Sequence, residues 1–152
     1  MISIRDAVIN DVPVLVAFDP VVLSGDNTRA IWIRDHVRAG IVRVAELETE
    51  VVGYCAVEET FFQQGFVELV VVAERARRKG VGTKLLCDAL KRCQTTKLWT
   101  STNFSNLPMQ QLLLKLGWQS AGIVYGLDEG DPELIFVASP RDQAVEWGEP
   151  AQ

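Results

Sequence analysis

The residues with the clearest chemical purpose stand in one short stretch: Arg75, Arg77, Arg78, Lys79, Gly80, Val81, Gly82 and Thr83. Cations close to glycines suit a phosphate, because glycine leaves backbone N–H groups uncovered. Where such a turn opens a helix, those orphan donors add to the positive end of the helix dipole. A basic run with glycine is, on its own, usually a solvated loop, so the flanking segments decide. Val67 to Val72 is rich in β-branched residues and reads as a buried strand, while Val81, Leu85, Leu86, Ala89, Leu90 and Cys93 recur at helical spacing. The turn therefore links a strand to an amphipathic helix, which is the context phosphate binding needs.

Residue order excludes two common phosphate loops. A nucleotide triphosphatase loop needs Gly-Lys-Ser/Thr, whereas Gly82, Thr83 and Lys84 run in another order. A dinucleotide fold needs Gly-x-Gly-x-x-Gly, and the third glycine position holds Leu85. What stands here, Arg77-Arg78-Lys79-Gly80-Val81-Gly82, resembles the Arg/Gln-x-x-Gly-x-Gly/Ala signature of the GNAT superfamily of acetyl-CoA-dependent N-acyltransferases. Downstream, Asn106 begins NLPMQQLLLKLGW, which resembles the family's Asn-x-x-Ala-x-x-Leu-Tyr-x-Lys-Leu-Gly-Phe segment through Leu112, Lys115, Leu116, Gly117 and Trp118. Read alone, this second stretch is an ordinary helix: Ser105 or Asn106 caps it, Pro108 fits its first turn, Met109, Leu112, Leu113 and Leu116 form its core stripe, and Gly117 ends it.

The resemblance implies acetyl-CoA as co-substrate and direct transfer to a primary amine of a small molecule or peptide. It implies that the backbone at Val70 and Val72 holds the pantetheine and the acetyl carbonyl. The pyrophosphate would lie on the turn formed by Arg77, Arg78, Lys79, Gly80, Val81, Gly82 and Thr83, and Asn106 would bond the pantetheine arm. Acyl transfer requires a neutral amine, a polarised carbonyl and a departing thiolate that can take a proton. Glu68, four residues before Val72, is the candidate general base, with Glu58, Glu59 or a backbone carbonyl as alternatives. The tyrosine that many relatives place on the second helix is replaced by Leu113, which cannot donate; Tyr125 is the candidate acid, with Ser101, Ser105 or solvent as substitutes. The same substitution keeps open a non-catalytic acyl-CoA-binding sensor or interaction module.

The elements that must carry these groups follow from periodicity and punctuation. A strand is expected near residues 2–8, then a helical region from Asp11 to about Gly40 broken near Pro20 and at Ser24-Gly25-Asp26-Asn27. Strands at 41–46, 51–59 and 66–72 form a meander, followed by the helix after the basic turn, strand 97–102, helix 106–116, and strands 118–125 and 133–138. This order suits a mixed, mostly antiparallel central sheet with helices on both faces, and the resemblance adds two central strands splayed to admit the pantetheine arm. One domain over residues 1–139 and a weakly packed tail over 140–152 are expected.

Composition narrows the function class. The chain of 152 residues is 48% hydrophobic, enough for a core without staples, and has no run that would span a membrane. MISIRDAVINDVP lacks a signal-peptide core, so cytoplasmic residence is expected. Cys55, Cys87 and Cys93 have no metal-ligand spacing and read as reduced core residues, so no metal is expected. A net charge of -5 argues against a nucleic-acid partner, although the basic turn is a local exception. Asp128, Glu129, Asp131 and Glu133 would favour a cationic acceptor if they face its entrance, and otherwise form a solvated turn. Phe18, Trp32 and His36 are further candidates for the acceptor pocket, with His36 more simply placed at the core edge. A homodimer is left open.

Overall fold

The computed structural model of the chain describes residues 1–140; residues 141–152, nearly all of the expected tail, lie outside the described residues. The order is β1 (Ile2–Asp6), α1 (Val12–Phe18), α2 (Pro20–Leu23), α3 (Asn27–Arg38), β2 (Val42–Leu47), β3 (Glu50–Phe61), β4 (Gln64–Val72), α4 (Val81–Arg92), β5 (Leu98–Asn103), α5 (Leu107–Lys115), β6 (Gln119–Val124) and β7 (Glu133–Ala138). The 7-stranded mixed sheet runs β1-β2-β3-β4-β5-β7-β6 and is antiparallel except for one parallel pair. The described residues form two compact units, Met1–Glu58 with Val67–Ala89, and Glu59–Phe66 with residues 90–140.

In the first unit, β1 pairs with β2 (Ile4↔Ala45) and β2 with β3 (Val44↔Tyr54), both antiparallel. Glu48 and Thr49 turn β2 into β3 with φ of 49° and 76°. Positive φ at both central residues is what a type I′ hairpin requires. Successive strand residues point to opposite faces. Tyr54 and Ala56 pack in a core cluster with Leu15 of α1 and with Ile33 and Val37 of α3. Gly53 faces the other way, towards Val81 and Leu85 of α4. Helices therefore cover both faces of this unit. The helical region breaks where an aspartate caps each new helix: Asp19 accepts from the N–H groups of Val21 and Val22, and Asp26 from that of Thr28.

In the second unit, β7 lies between β5 and β6 (Ser101↔Ile135, Ile123↔Leu134), again antiparallel. Helix α5 begins at its cap Asn106, with Pro108 in the first turn, and ends at Gly117 with φ of 87°. The N–H of Gly117 donates to the Leu114 carbonyl and that of Trp118 to the Leu113 carbonyl. This is a Schellman stop, whose outer residue usually packs on the last helical turn; Trp118 and Leu113 are both buried. The Leu-Gly-Trp of the second motif is thus the termination code of α5.

The cysteines correct the sequence reading. Cys55 is buried and Cys93 half-buried, but Cys87 is exposed, because it falls on the side of α4 away from Val81, Leu85, Leu86 and Ala89. Among the described residues no helix is long and apolar enough to cross a membrane.

Candidate active site

The basic turn leaves β4 through Ala73, whose N–H donates to the Val52 carbonyl at 2.7 Å. A single 3-10 turn, Glu74–Ala76, follows. Ala76 and Val81 are both about 1% exposed and anchor the two ends. Between them Arg77, Arg78, Lys79 and Gly80 are all exposed. Arg78 and Gly80 have φ of 62° and 85°, so the chain reverses without stacking side chains over the helix mouth. The Lys84 N–H is bonded to the Gly80 carbonyl at 3.1 Å. The N–H groups of Val81, Gly82 and Thr83 come before that bond, in the first turn, where a helix offers no carbonyl. Those donors, beside three exposed cations, give the helix mouth the features that suit an anion. Arg75 stands apart: it pairs with Glu50 at 3.0 Å and fastens the turn to β3.

The helix mouth is held against the sheet by a glycine that sequence reasoning did not single out. A Cβ on Gly53 would stand 2.9 Å from Val81 Cγ1 and 3.0 Å from the Val71 carbonyl oxygen. Only a residue without a side chain allows α4 to settle this closely on β3. A glycine inside a strand, VVGYC, was the available signal, since such positions mark close backbone approach.

On β4, Glu68, Val70 and Val72 are half-buried and alternate with Val67 and Val71, which are buried. Leu69 and Val71 pack with the core cluster of α1 and α3, so the three candidate site residues share the opposite face.

Each remaining candidate sits in a definite environment. Asn106 is exposed, and its side-chain oxygen accepts the Met109 N–H at 3.3 Å as the cap of α5. Leu113 is fully buried, so the position of the missing tyrosine belongs to the core of the second unit. Tyr125 lies just beyond β6 and is 76% exposed. The acidic run is largely committed: Asp128 accepts from Asn103 Nδ2, Asp131 from the N–H and hydroxyl of Ser105, and Glu133 from the Ser101 hydroxyl. Ser101 and Ser105 are therefore partners of this run. Glu129 is exposed.

The other acceptor-pocket candidates have structural employment. Phe18 packs at the margin of the first core, with its ring 6.3 Å from that of Tyr54. His36 stacks on Trp32 at 3.7 Å, bonds the Trp32 carbonyl through Nδ1, and places Nε2 at 3.7 Å from Glu58. At the start of α2, the buried Asp19 accepts the Tyr54 hydroxyl at 2.5 Å and pairs with Arg29 at 3.1 Å. Burial, and then the Asp19 bond, hold the Tyr54 phenol well above its ordinary value, so it serves as a fixed donor. The Cys55 thiol is pushed up to about 12 by burial and then by Asp88, which removes it from nucleophilic chemistry. Among the described residues, no group of three or more His, Cys, Asp or Glu could hold a metal ion.

Comparison with known proteins extends this geometry. The sequence profile described as "Acetyltransferase (GNAT) family" matches residues 15–118. A crystal structure of a GNAT-family acetyltransferase from Bacillus cereus ATCC 10987 is 32% identical, superposes with a TM-score of 0.85, and covers 91% of this chain and 97% of its own. A curated N-alpha-acetyltransferase of Sulfurisphaera tokodaii is 25% identical over 154 aligned residues, with 90% of this chain and 92% of that protein covered. The Salmonella typhimurium protein yncA, solved with its cofactor acetyl-CoA, shares the fold at a TM-score of 0.72 and 20% identity, covering 95% of this chain and 96% of its own.

Proposed function

The chain belongs to the acetyltransferase (GNAT) family, and we propose that it transfers the acetyl group of acetyl-CoA directly to a primary amine. The observation that carries this reading is the helix mouth at Val81, Gly82 and Thr83, whose N–H donors have no partner among the described residues and stand beside the exposed Arg77, Arg78 and Lys79. Such a mouth fits a pyrophosphate through fixed backbone donors and a screened positive field. Val70 and Val72 offer main-chain groups to the pantetheine and the acetyl carbonyl, and Asn106 offers its side-chain amide to the pantetheine arm.

In the reaction the neutral amine attacks the thioester carbonyl, the carbonyl oxygen gains charge, and collapse breaks the C–S bond and releases the coenzyme A thiolate. Glu68 takes the proton lost by the amine. Tyr125 or solvent returns one to the thiolate. The N-alpha-acetyltransferase relative supports an N-terminal α-amine as acceptor. An α-amine has an ordinary pKa near 7.7–8.0, so a sizeable fraction is already neutral at working pH and demands little of the base. A cationic acceptor is the finer expectation carried by the acidic run, and the cytoplasm is the expected compartment.

The test is thiol release with a panel of peptide and small-molecule amines, repeated with Glu68→Gln across pH. The variant should lose turnover most at low pH while acetyl-CoA affinity is kept. Equal turnover at every pH would dismiss Glu68 as base. The second reading, an acyl-CoA-binding module without turnover, draws on Leu113 in the tyrosine position; cofactor affinity without acceleration for any amine would select it.

A further inference from the structure

The connection between β6 and β7 sets two of its acids, Asp128 and Asp131, on the segment that leads into α5. Asp131 accepts the Ser105 N–H at 2.9 Å with one carboxylate oxygen and the Ser105 hydroxyl at 2.5 Å with the other. The neighbouring Phe104 N–H donates to the Pro132 carbonyl at 2.8 Å, and Asn103 Nδ2 donates to Asp128 at 2.8 Å. From the other side, Gln110 Nε2 donates to the carbonyls of Asn103 and Phe104. This segment ends at Asn106, whose own N–H is bonded back to the Asn103 carbonyl at 2.9 Å. An exposed helix cap approached by a short loop should swing, yet here nearly every polar group of the approach is fastened.

We propose that Asp131 is a positioning residue for acetyl-CoA: by gripping both donors of Ser105 it fixes the entry to α5 and so aims the Asn106 side chain at the pantetheine arm. This rests on the reading of Asn106 given under the proposed function. Asn106 spends its side-chain oxygen on the Met109 N–H, so its exposed amide has the nitrogen to offer as a donor for a pantetheine carbonyl. Rotation of the Ser105 peptide would misplace that donor. The acidic run then acts chiefly on the donor substrate, by holding a turn, and only through its remaining charge on the acceptor.

The experiment is a double-mutant cycle on the full chain, with acetyl-CoA affinity read by calorimetry and KM and kcat by thiol release. Asn106→Ala should weaken acetyl-CoA. Asp131→Ala should weaken it about five- to tenfold, in line with the loss of charge-assisted hydrogen bonds to one residue, with kcat at saturating acetyl-CoA held within about twofold. In the Asn106→Ala background, Asp131→Ala should add almost nothing, because the group it aims is gone. Asp131→Asn, which keeps the shape but presents an amide to one Ser105 donor, and Ser105→Ala serve if the alanine variant fails to fold. Both should fall between wild type and Asp131→Ala. If Asn106→Ala weakens binding but the Asp131 and Ser105 variants do not, or if their effects add in full to that of Asn106→Ala, the positioning role is overturned while the cofactor reading stands. Unchanged affinity in Asn106→Ala would overturn both.

Discussion

Gly53→Ala tests whether the helix mouth is where phosphate is held, without touching a single group that would contact it. The added Cβ would lie 2.9 Å from Val81 Cγ1 and 3.0 Å from the Val71 carbonyl oxygen, about half an ångström inside the 3.4 Å at which ordinary contact begins. The carbonyl belongs to the sheet and cannot turn aside. Val81 is about 1% exposed and is the first residue of α4, so relief comes from lifting the start of that helix. Overpacking of this kind costs about 1–3 kcal/mol. The same lift moves the N–H groups of Val81, Gly82 and Thr83, whose value to an anion depends on their fixed aim.

Hydrogen bonds to charged groups are each worth about 1.5–3 kcal/mol, so misaiming them in part should cost about 1–2 kcal/mol of acetyl-CoA binding, or roughly 5- to 30-fold in Kd. Calorimetric titration with acetyl-CoA measures it, with circular dichroism to confirm the fold. Gly65→Ala is the matched control. Its Cβ would meet Leu98 Cδ1 at 3.0 Å, Thr95 Oγ1 at 3.3 Å and Cys93 Sγ at 3.4 Å, all side-chain atoms of the second unit. That variant should lose stability with little loss of affinity. A folded Gly53→Ala protein that binds acetyl-CoA as wild type does would refute the placement of the cofactor on this turn.

Three further outcomes follow from the geometry. Replacing Arg77 and Lys79 by alanine should weaken acetyl-CoA binding less than the glycine substitution and only at low salt, since both side chains are exposed and screened; a salt-independent loss in calorimetry would contradict this. Tyr54→Phe removes a buried hydroxyl that donates to the buried Asp19 and should cost about 1.5–3 kcal/mol of unfolding free energy; an unchanged denaturant midpoint would show that Arg29 and the α2 N–H groups satisfy Asp19 alone. The Asp11 carboxyl is held below its ordinary 3.8, first by its hydrogen bond from Arg5. A depressed carboxylate contributes stability above its unfolded value that is lost as pH falls through the folded one. Arg5→Met should therefore flatten the fall in stability below about pH 4, as read by urea melts; an equally steep fall would clear this pair.

Much of the scaffold was legible because each element carried its own signal. The helix after the basic turn was readable from Val81, Leu85, Leu86, Ala89, Leu90 and Cys93; the first four are buried on one side of α4, while Leu90 is half-buried and Cys93, also half-buried, lies just past the helix end. Cys87, outside that periodic set, was placed in the core by residue type alone: it is small and apolar, and its angular position on α4 sets it in water. The breaks near Pro20 and at Ser24-Gly25-Asp26-Asn27 were legible as turn chemistry. What the sequence did not reveal is that Asp19 is also the centre of a buried network with Tyr54 and Arg29. Those partners are 35 and 10 residues away, and no local pattern marks a contact of that kind.

The candidate site divides along the same line. Its backbone part was readable, because N–H donors at a glycine-bearing helix start depend on local conformation alone. Its side-chain part was not, because the direction of a carboxylate depends on which distant segment lies beside it. A hairpin holding Asp128, Glu129, Asp131 and Glu133 reads from sequence as outward charge, yet three of the four accept hydrogen bonds from the segment 101–105. The reason is donor supply: Ser101, Asn103 and Ser105 alternate along the end of β5 and beyond, and the β5–β7 pairing sets Ser101 opposite Ile135 and Asn103 opposite Glu133. A polar alternation on one strand and an acidic connection entering its neighbour are each unremarkable alone. Brought into register they satisfy one another, and Asp128 and Asp131 tether the approach to Asn106.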